Sequence, residues 1–293
     1  MNKLLLLVLC FSFALLNAKV VTLTAEVTYT NNSNENIPKI FHRVTMPSER
    51  SYQKVKSVDV CGTNHYKIKH HKNDLTQKYV ELMFALPPFS SKKTTISFEV
   101  EIDSMQYDIN EVLGFRDDLK KFTFPSKHIE SSSSEFKLIA SKLMGEKKTI
   151  GERVKKAYQY PSKILTYKVQ KRTSALTALK TKQGDCTEYA MVFVAICRAM
   201  NIPSRVVNLF NFKHKNTFSQ PNHNEAEIFV KNHGWVPIYS NLGLGSLRGE
   251  YSPGNISNTN ILYSHDVWTW SNYLPKTKHL KGLIKQKMLW KIK

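Results

Sequence analysis

Residues 21–30 read Val-Thr-Leu-Thr-Ala-Glu-Val-Thr-Tyr-Thr, an alternation of apolar and polar side chains crowded with β-branched residues. A period of two sends alternate side chains to opposite faces, so the stretch can bury its apolar half only as a strand with one face on a core. Asn31-Asn32-Ser33-Asn34-Glu35-Asn36 breaks the run with turn-forming residues. The pattern returns over residues 40–44, 55–60, 79–85 and 94–102, with Pro87-Pro88 and Ser90-Ser91 separating the last two. Short strands divided by polar turns predict a β-sandwich over residues 19–110. His65, His70 and His71 fall in a Lys-rich stretch, read as a turn region without a metal site.

The character of the chain then changes. Residues 114–125 read as a linker, and Ser131-Ser132-Ser133-Ser134 precedes a helical pattern over 135–144, with Phe136, Ile139 and Leu143 on one side and Ser134 as N-cap. Further helices are expected over 150–158, ended by Pro161, over 174–180, and over 186–200, stopped at Asn201-Ile202-Pro203. Strands follow at 206–210, 227–230 and 235–239, the last two joined by the turn Lys231-Asn232-His233-Gly234. Helices first and a sheet second give an α+β domain, residues 126–270. A chain of 293 residues has room for both units.

Met1-Asn2-Lys3, an apolar stretch over 4–16 and Asn17-Ala18-Lys19 have the layout of a secretory signal peptide, residues 1–18. The apolar stretch is shorter than the roughly 20 residues that cross a bilayer, so an exported bacterial protein, periplasmic or secreted, is expected. Removal of the leader takes Cys10 and leaves Cys61, Cys186 and Cys197, an odd number. Eleven residues of helix would hold Cys186 and Cys197 about 16 Å apart, beyond disulfide reach. A net charge of +20 suits contact with an anionic envelope surface. No aromatic-basic module points to specific nucleic-acid binding, and no cofactor or metal site is expected. In the basic tail, residues 271–293, Leu280, Ile284, Met288 and Ile292 recur every four residues among lysines, the spacing of an amphipathic helix suited to a membrane surface.

The chemistry centres on Gly184-Asp185-Cys186-Thr187-Glu188, where a thiol stands at the start of a helix. Unpaired N–H groups and the helix dipole there favour the thiolate. Glu188, in the first turn, complements the dipole but opposes thiolate formation. A nucleophilic thiol needs a base, and the base an orienting partner. Of the ten histidines, His223 begins an extended segment after the cysteine helix, whereas His214, His233 and His265 lie in loop, turn and Ser-Tyr-rich contexts.

Residues 174–190, together with Cys197-Arg198-Ala199-Met200-Asn201-Ile202-Pro203-Ser204-Arg205, resemble the bacterial transglutaminase-like superfamily. That resemblance implies a papain-like fold in which Cys186 is the nucleophile and His223 the general base and acid. It also implies an aspartate four residues after a tryptophan, but counting from Trp235 reaches Tyr239; Glu225 stands where the family's histidine block has tryptophan. Tyr239 by its hydroxyl, or Asn241 two residues on along the same face, would then orient the imidazole. The Cys186 N–H would be one oxyanion donor and Gln183, beside it on the turn, the second. The implied activity is acyl transfer through an acyl-enzyme, with amide hydrolysis or deamidation favoured over cross-linking, on a protein, peptide or cell-wall amide. The alternative is an inactive member serving as a binding or scaffold module in the cell envelope.

Overall fold

The computed structural model describes residues 18–72, 74–103, 109, 117–145, 149–231, 233–238, 259–265, 273–275 and 283–293. Residues 1–17 of the expected leader lie outside them. Six strands come first: β1 (Lys19–Asn31), β2 (Ile37–Thr45), β3 (Gln53–Cys61), β4 (Tyr66–His71), β5 (Asp74–Leu86) and β6 (Ser91–Ile102). A 3-10 turn (Asp117–Phe122) leads to α1 (Ser134–Met144), α2 (Ile150–Ile164), β7 (Thr166–Tyr167), α3 (Ala175–Thr181), β8 (Gln183–Gly184) and α4 (Cys186–Ala199). The chain then runs through β9 (Ser204–Asn211), β10 (Thr217–Phe218), β11 (His223–Val230), β12 (Gly234–Ile238), β13 (Asn260–His265), β14 (Tyr273–Pro275) and β15 (Ile284–Ile292). Mixed α+β architecture with an N-terminal β-sandwich is the observed class.

The sandwich is built from antiparallel sheets in the orders β10-β15-β1-β6-β3 and β14-β2-β5-β4. Every second residue of β1, from Val21 through Leu23, Ala25 and Val27 to Tyr29, is buried, as the two-residue period requires. In α1 the cap is Ser133 rather than the expected Ser134, and α2 runs on through Pro161, which was expected to end it; among the strands two larger departures from the sequence reading stand out. The Lys-rich stretch expected as a turn contains strand β4, at a sheet edge with its side chains exposed on both faces. A strand that buries neither face carries no alternation to read, and edge lysines are how sheets avoid pairing with other chains. The tail expected as an amphipathic helix contains strand β15, paired with β1 from Leu23↔Ile292 to Asn31↔Ile284. A four-residue spacing is a multiple of two, so Ile284, Met288 and Ile292 fit a strand as well as a helix; Trp290, buried between the last two, fits only the strand.

In the second unit α4 is the central helix, buried from Thr187 to Arg198, with α1, α2 and α3 on one side and β9 and β11 of the sheet β12-β11-β9-β13 on the other. Pro161 lies within α2, which continues to Ile164 and closes with Leu165 N–H donating to the Pro161 carbonyl. The two units share one core: Trp290 of β15 stacks with Phe98, Phe210 and Tyr263. The Gln53 carboxamide donates to and accepts from the Leu262 backbone at 2.7 and 2.8 Å, as a neighbouring strand would. β10, from the connection between β9 and β11, pairs with β15.

Candidate active site

Cys186 is the first residue of α4, and the local sequence fixes that start. The Asp185 side chain caps the helix by accepting from Thr187 N–H at 2.9 Å, and Glu188 reaches back to accept from Asp185 N–H at 3.0 Å, a complete capping box. The other Glu188 oxygen accepts from Thr173 N–H at 2.8 Å, tying the segment before α3 to the helix start. Burial raises the Glu188 pKa, the backbone donors opposing it. Gly184 is needed for this seating rather than for a turn: a Cβ there would lie 2.4 Å from the Glu188 Cβ. None of Cys61, Cys186 and Cys197 is disulfide-bonded. Cys197 is buried in the core, where desolvation pushes its thiol pKa up; Cys186 is half-buried and lines a cleft of about 460 Å³.

His223 opens β11, as expected for the base, and its imidazole faces Cys186, whose influence helps to raise the imidazole pKa. Its Nε2 lies 2.7 Å from Oε1 of Glu225, with both side chains buried. Two residues along a strand return to the same face, so the carboxylate that holds the imidazole comes from the histidine's own strand. Burial pulls the His223 pKa down, but the Glu225 charge, the neighbouring Cys186 and the hydrogen bond to Glu225 outweigh it and raise it to about 10. Tyr158 of α2 is buried beside the carboxylate, and burial together with the Glu225 charge raises its hydroxyl pKa. Asn224 fills the gap to the helix, its amide nitrogen 2.9 Å from Thr187 Oγ1 and 3.9 Å from Cys186 Sγ.

Cys186 and His223 are therefore brought together as the sequence suggests. Tyr239 and Asn241, the expected orienting residues, lie outside the described residues. Gln183 sits in β8, its Oε1 accepting from Lys168 Nζ at 3.1 Å on the exposed side, and it does not line the cleft. Glu225 and Asn224 were not identified from sequence as site residues. The signal was present in His223-Asn224-Glu225: an acid two residues from a histidine on a strand is its same-face neighbour.

Further along the same face of β11, Glu227 is fully buried and accepts from Arg50 Nε at 2.9 Å, Arg205 Nε at 2.9 Å and Tyr52 hydroxyl at 3.2 Å. Burial would raise its pKa, but the guanidinium groups of Arg50 and Arg205 bring it down to about 2. Arg205 also stacks on Trp235, 3.8 Å from the ring centre. This cluster fastens the active-site strand to the segment between β2 and β3.

Residues 137–240 match the model of the transglutaminase-like superfamily. This region is a transglutaminase-like domain. Its cysteine and histidine occupy the start of the central helix and the start of a strand packed on that helix, while a glutamate of that strand takes the imidazole. Among solved structures, a "Putative Cysteine Protease" from Cytophaga hutchinsonii is similar over 94% of this chain and 91% of its own, with a TM-score of 0.60 and 15% identity. The shared fold thus extends over the β-sandwich as well as the transglutaminase-like domain. A "Putative Protease" from Parabacteroides distasonis is similar over 78% of this chain and 47% of its own, at 14% identity and a TM-score of 0.33. Among curated proteins no match is found.

Proposed function

We propose that the protein is a cysteine-dependent amide hydrolase acting on peptide or protein amides, with Cys186 as nucleophile, His223 as base and acid, and Glu225 as the residue that orients the imidazole. The observation that carries the proposal is the buried His223–Glu225 pair, closed by a 2.7 Å bond and set beside the half-buried Cys186 thiol. The His223 proton is favoured by a carboxylate on one side and the sulfur on the other, the condition for an imidazolium–thiolate pair.

In the proposed reaction the Cys186 sulfur attacks the amide carbon, a C–S bond forms, and the carbonyl electron pair moves onto oxygen. The oxyanion is held by the Cys186 backbone N–H at the helix start and by the Asn224 amide, whose nitrogen already lies beside the sulfur. His223 gives its proton to the departing amine as the C–N bond breaks, leaving a thioester. It then takes a proton from water, whose oxygen attacks the thioester carbon; the C–S bond breaks and the acid leaves. A solvent-open cleft with amide-rich walls favours water over a second amine as acceptor, hence hydrolysis or deamidation rather than cross-linking. The Glu225 carboxylate against His223 supports reading the chain as an enzyme rather than as an inactive binding module.

Export to the periplasm or medium belongs to the same proposal and rests on the leader-like layout of residues 1–18. The test is to incubate the protein with a mixture of tryptic peptides and follow new termini and Gln-to-Glu conversions by mass spectrometry. Products should appear with the unaltered chain and vanish with Cys186→Ala. Equal product from a folded Cys186→Ala chain would end the proposal.

A further inference from the structure

We infer that the outer face of the sheet β14-β2-β5-β4 carries a second binding site, and that its ligand is an acidic saccharide, a sugar chain bearing carboxylates. The site stands apart from Cys186 and does not depend on the chemistry proposed there.

A cavity of about 480 Å³ opens over β2, β5 and β4. Ile40, His42 and Val44 of β2 and Val80, Leu82 and Phe84 of β5 point into the core, so the residues between them face outwards. There Phe41 stands opposite Met83, whose N–H donates to the His65 carbonyl at 2.9 Å, and the two side chains make an apolar floor. Two residues along the strands, about 7 Å away, Arg43, Glu81 and Lys67 lie opposite one another. Two residues the other way is Lys39, its Nζ 5.2 Å from the centre of the Phe41 ring. Cations therefore stand on both sides of an apolar floor. Glu81 is the one carboxylate among the described residues lining the cavity, and it is already engaged: it accepts from Arg43 Nε at 3.2 Å and from Lys69 Nζ. Burial would raise its pKa, but those bonds bring it below the usual carboxylate range. Lys39 and Lys67 have no carboxylate partner among the described residues, which leaves two ammonium groups for an anion. The Asn64 amide, the His65 ring and the Tyr66 hydroxyl add hydrogen-bonding groups to the wall. A sugar ring offers an apolar face of C–H groups to such a floor and hydroxyls to such a wall, and a carboxylate at its edge reaches the lysines. The flat surface of a bilayer does not enter a recess in a sheet face. An extended peptide would add to the free edge of β4, where lysines oppose strand pairing.

The test titrates the full chain with a hexamer of galacturonic acid, and with the methyl ester of the same hexamer, by isothermal calorimetry. The acid should bind, and the uncharged ester about tenfold or more weakly. Replacing both lysines, Lys39→Gln with Lys67→Gln, should weaken the acid about five- to thirtyfold. Lys137→Gln with Lys142→Gln removes the same charge from exposed positions of α1 and should leave the affinity within about twofold. Phe41→Ser should weaken the acid and the ester alike, because it removes the floor and no charge. An unchanged iodoacetamide rate at Cys186 reports that each variant is folded. Equal losses in the two lysine pairs would mean that the net charge of +20 and not the cavity holds the sugar, and would overturn the inference. No binding of the hexamer would overturn it as well. So would phosphatidylglycerol vesicles that bind through Lys39 and Lys67 where the hexamer does not, since the ligand would then be a lipid surface.

Discussion

Replacing Glu225 by Gln keeps the size of the side chain and removes the charge that His223 leans on. The imidazole is buried, and burial alone drives its pKa below the ordinary 6.5; contact with Glu225 and Cys186 lifts it to about 10. A rise of that size corresponds to about 5 kcal/mol in favour of the imidazolium, and Glu225 contributes through both its charge and its 2.7 Å hydrogen bond. Loss of the carboxylate should therefore cost the charged form about 3–4 kcal/mol and bring the His223 pKa down by about two to three units, to about 7–8. The assay is an NMR titration of the imidazole nitrogens from pH 5 to 11, with His223 assigned by its absence in His223→Asn. Linkage gives a second readout. The folded pKa lies above the unfolded one, so the stabilisation is complete below about 6.5 and disappears as pH rises towards 10. Stability of the unaltered chain should fall across that window, and the slope should flatten in Glu225→Gln. An imidazole still protonated above pH 9 in a folded Glu225→Gln chain would refute the reasoning.

Asn224→Ala should lower amide turnover about a hundredfold, as loss of an oxyanion donor does, yet leave the iodoacetamide rate at Cys186 within about twofold, because alkylation forms no oxyanion. Parallel steady-state and alkylation kinetics separate the two. Arg50→Ala leaves Glu227 with a weaker set of cations in a buried site, and thermal unfolding should show a loss of about 3–5 kcal/mol. Glu227 is held at about 2 against an ordinary 4.5, so its contribution is present above about 4.5 and lost as pH falls towards 2. Unfolding midpoints over that range should fall less steeply in Arg50→Ala than in the unaltered chain.

The β-sandwich is legible because strands such as β1 and β6 bury one face and so write a two-residue period into the sequence. β4 buries neither face and leaves only lysines to read, and β15 spaces its apolar residues at a multiple common to helix and strand. The start of α4 was legible for a local reason: Asp185 and Glu188 form a capping box within four residues of each other. The thiol and its base were legible through Cys186 at that start and His223 at the start of a strand. The resemblance directs the search for an orienting residue to Tyr239 and Asn241, which lie outside the described residues, whereas the carboxylate seen on the imidazole is Glu225. A side chain two residues along His223's own strand reaches the imidazole with no help from tertiary packing. The Arg50–Glu227 pair depends on units brought together only by the fold, and nothing in local spacing announces it.

The central claim is that His223, held by Glu225, activates Cys186, and the rate of iodoacetamide labelling at Cys186 at neutral pH tests it most directly. The unaltered chain should be labelled about tenfold or more faster than a folded His223→Ala chain, because only the first has a base beside the thiol. Equal rates in the two folded chains would contradict the account.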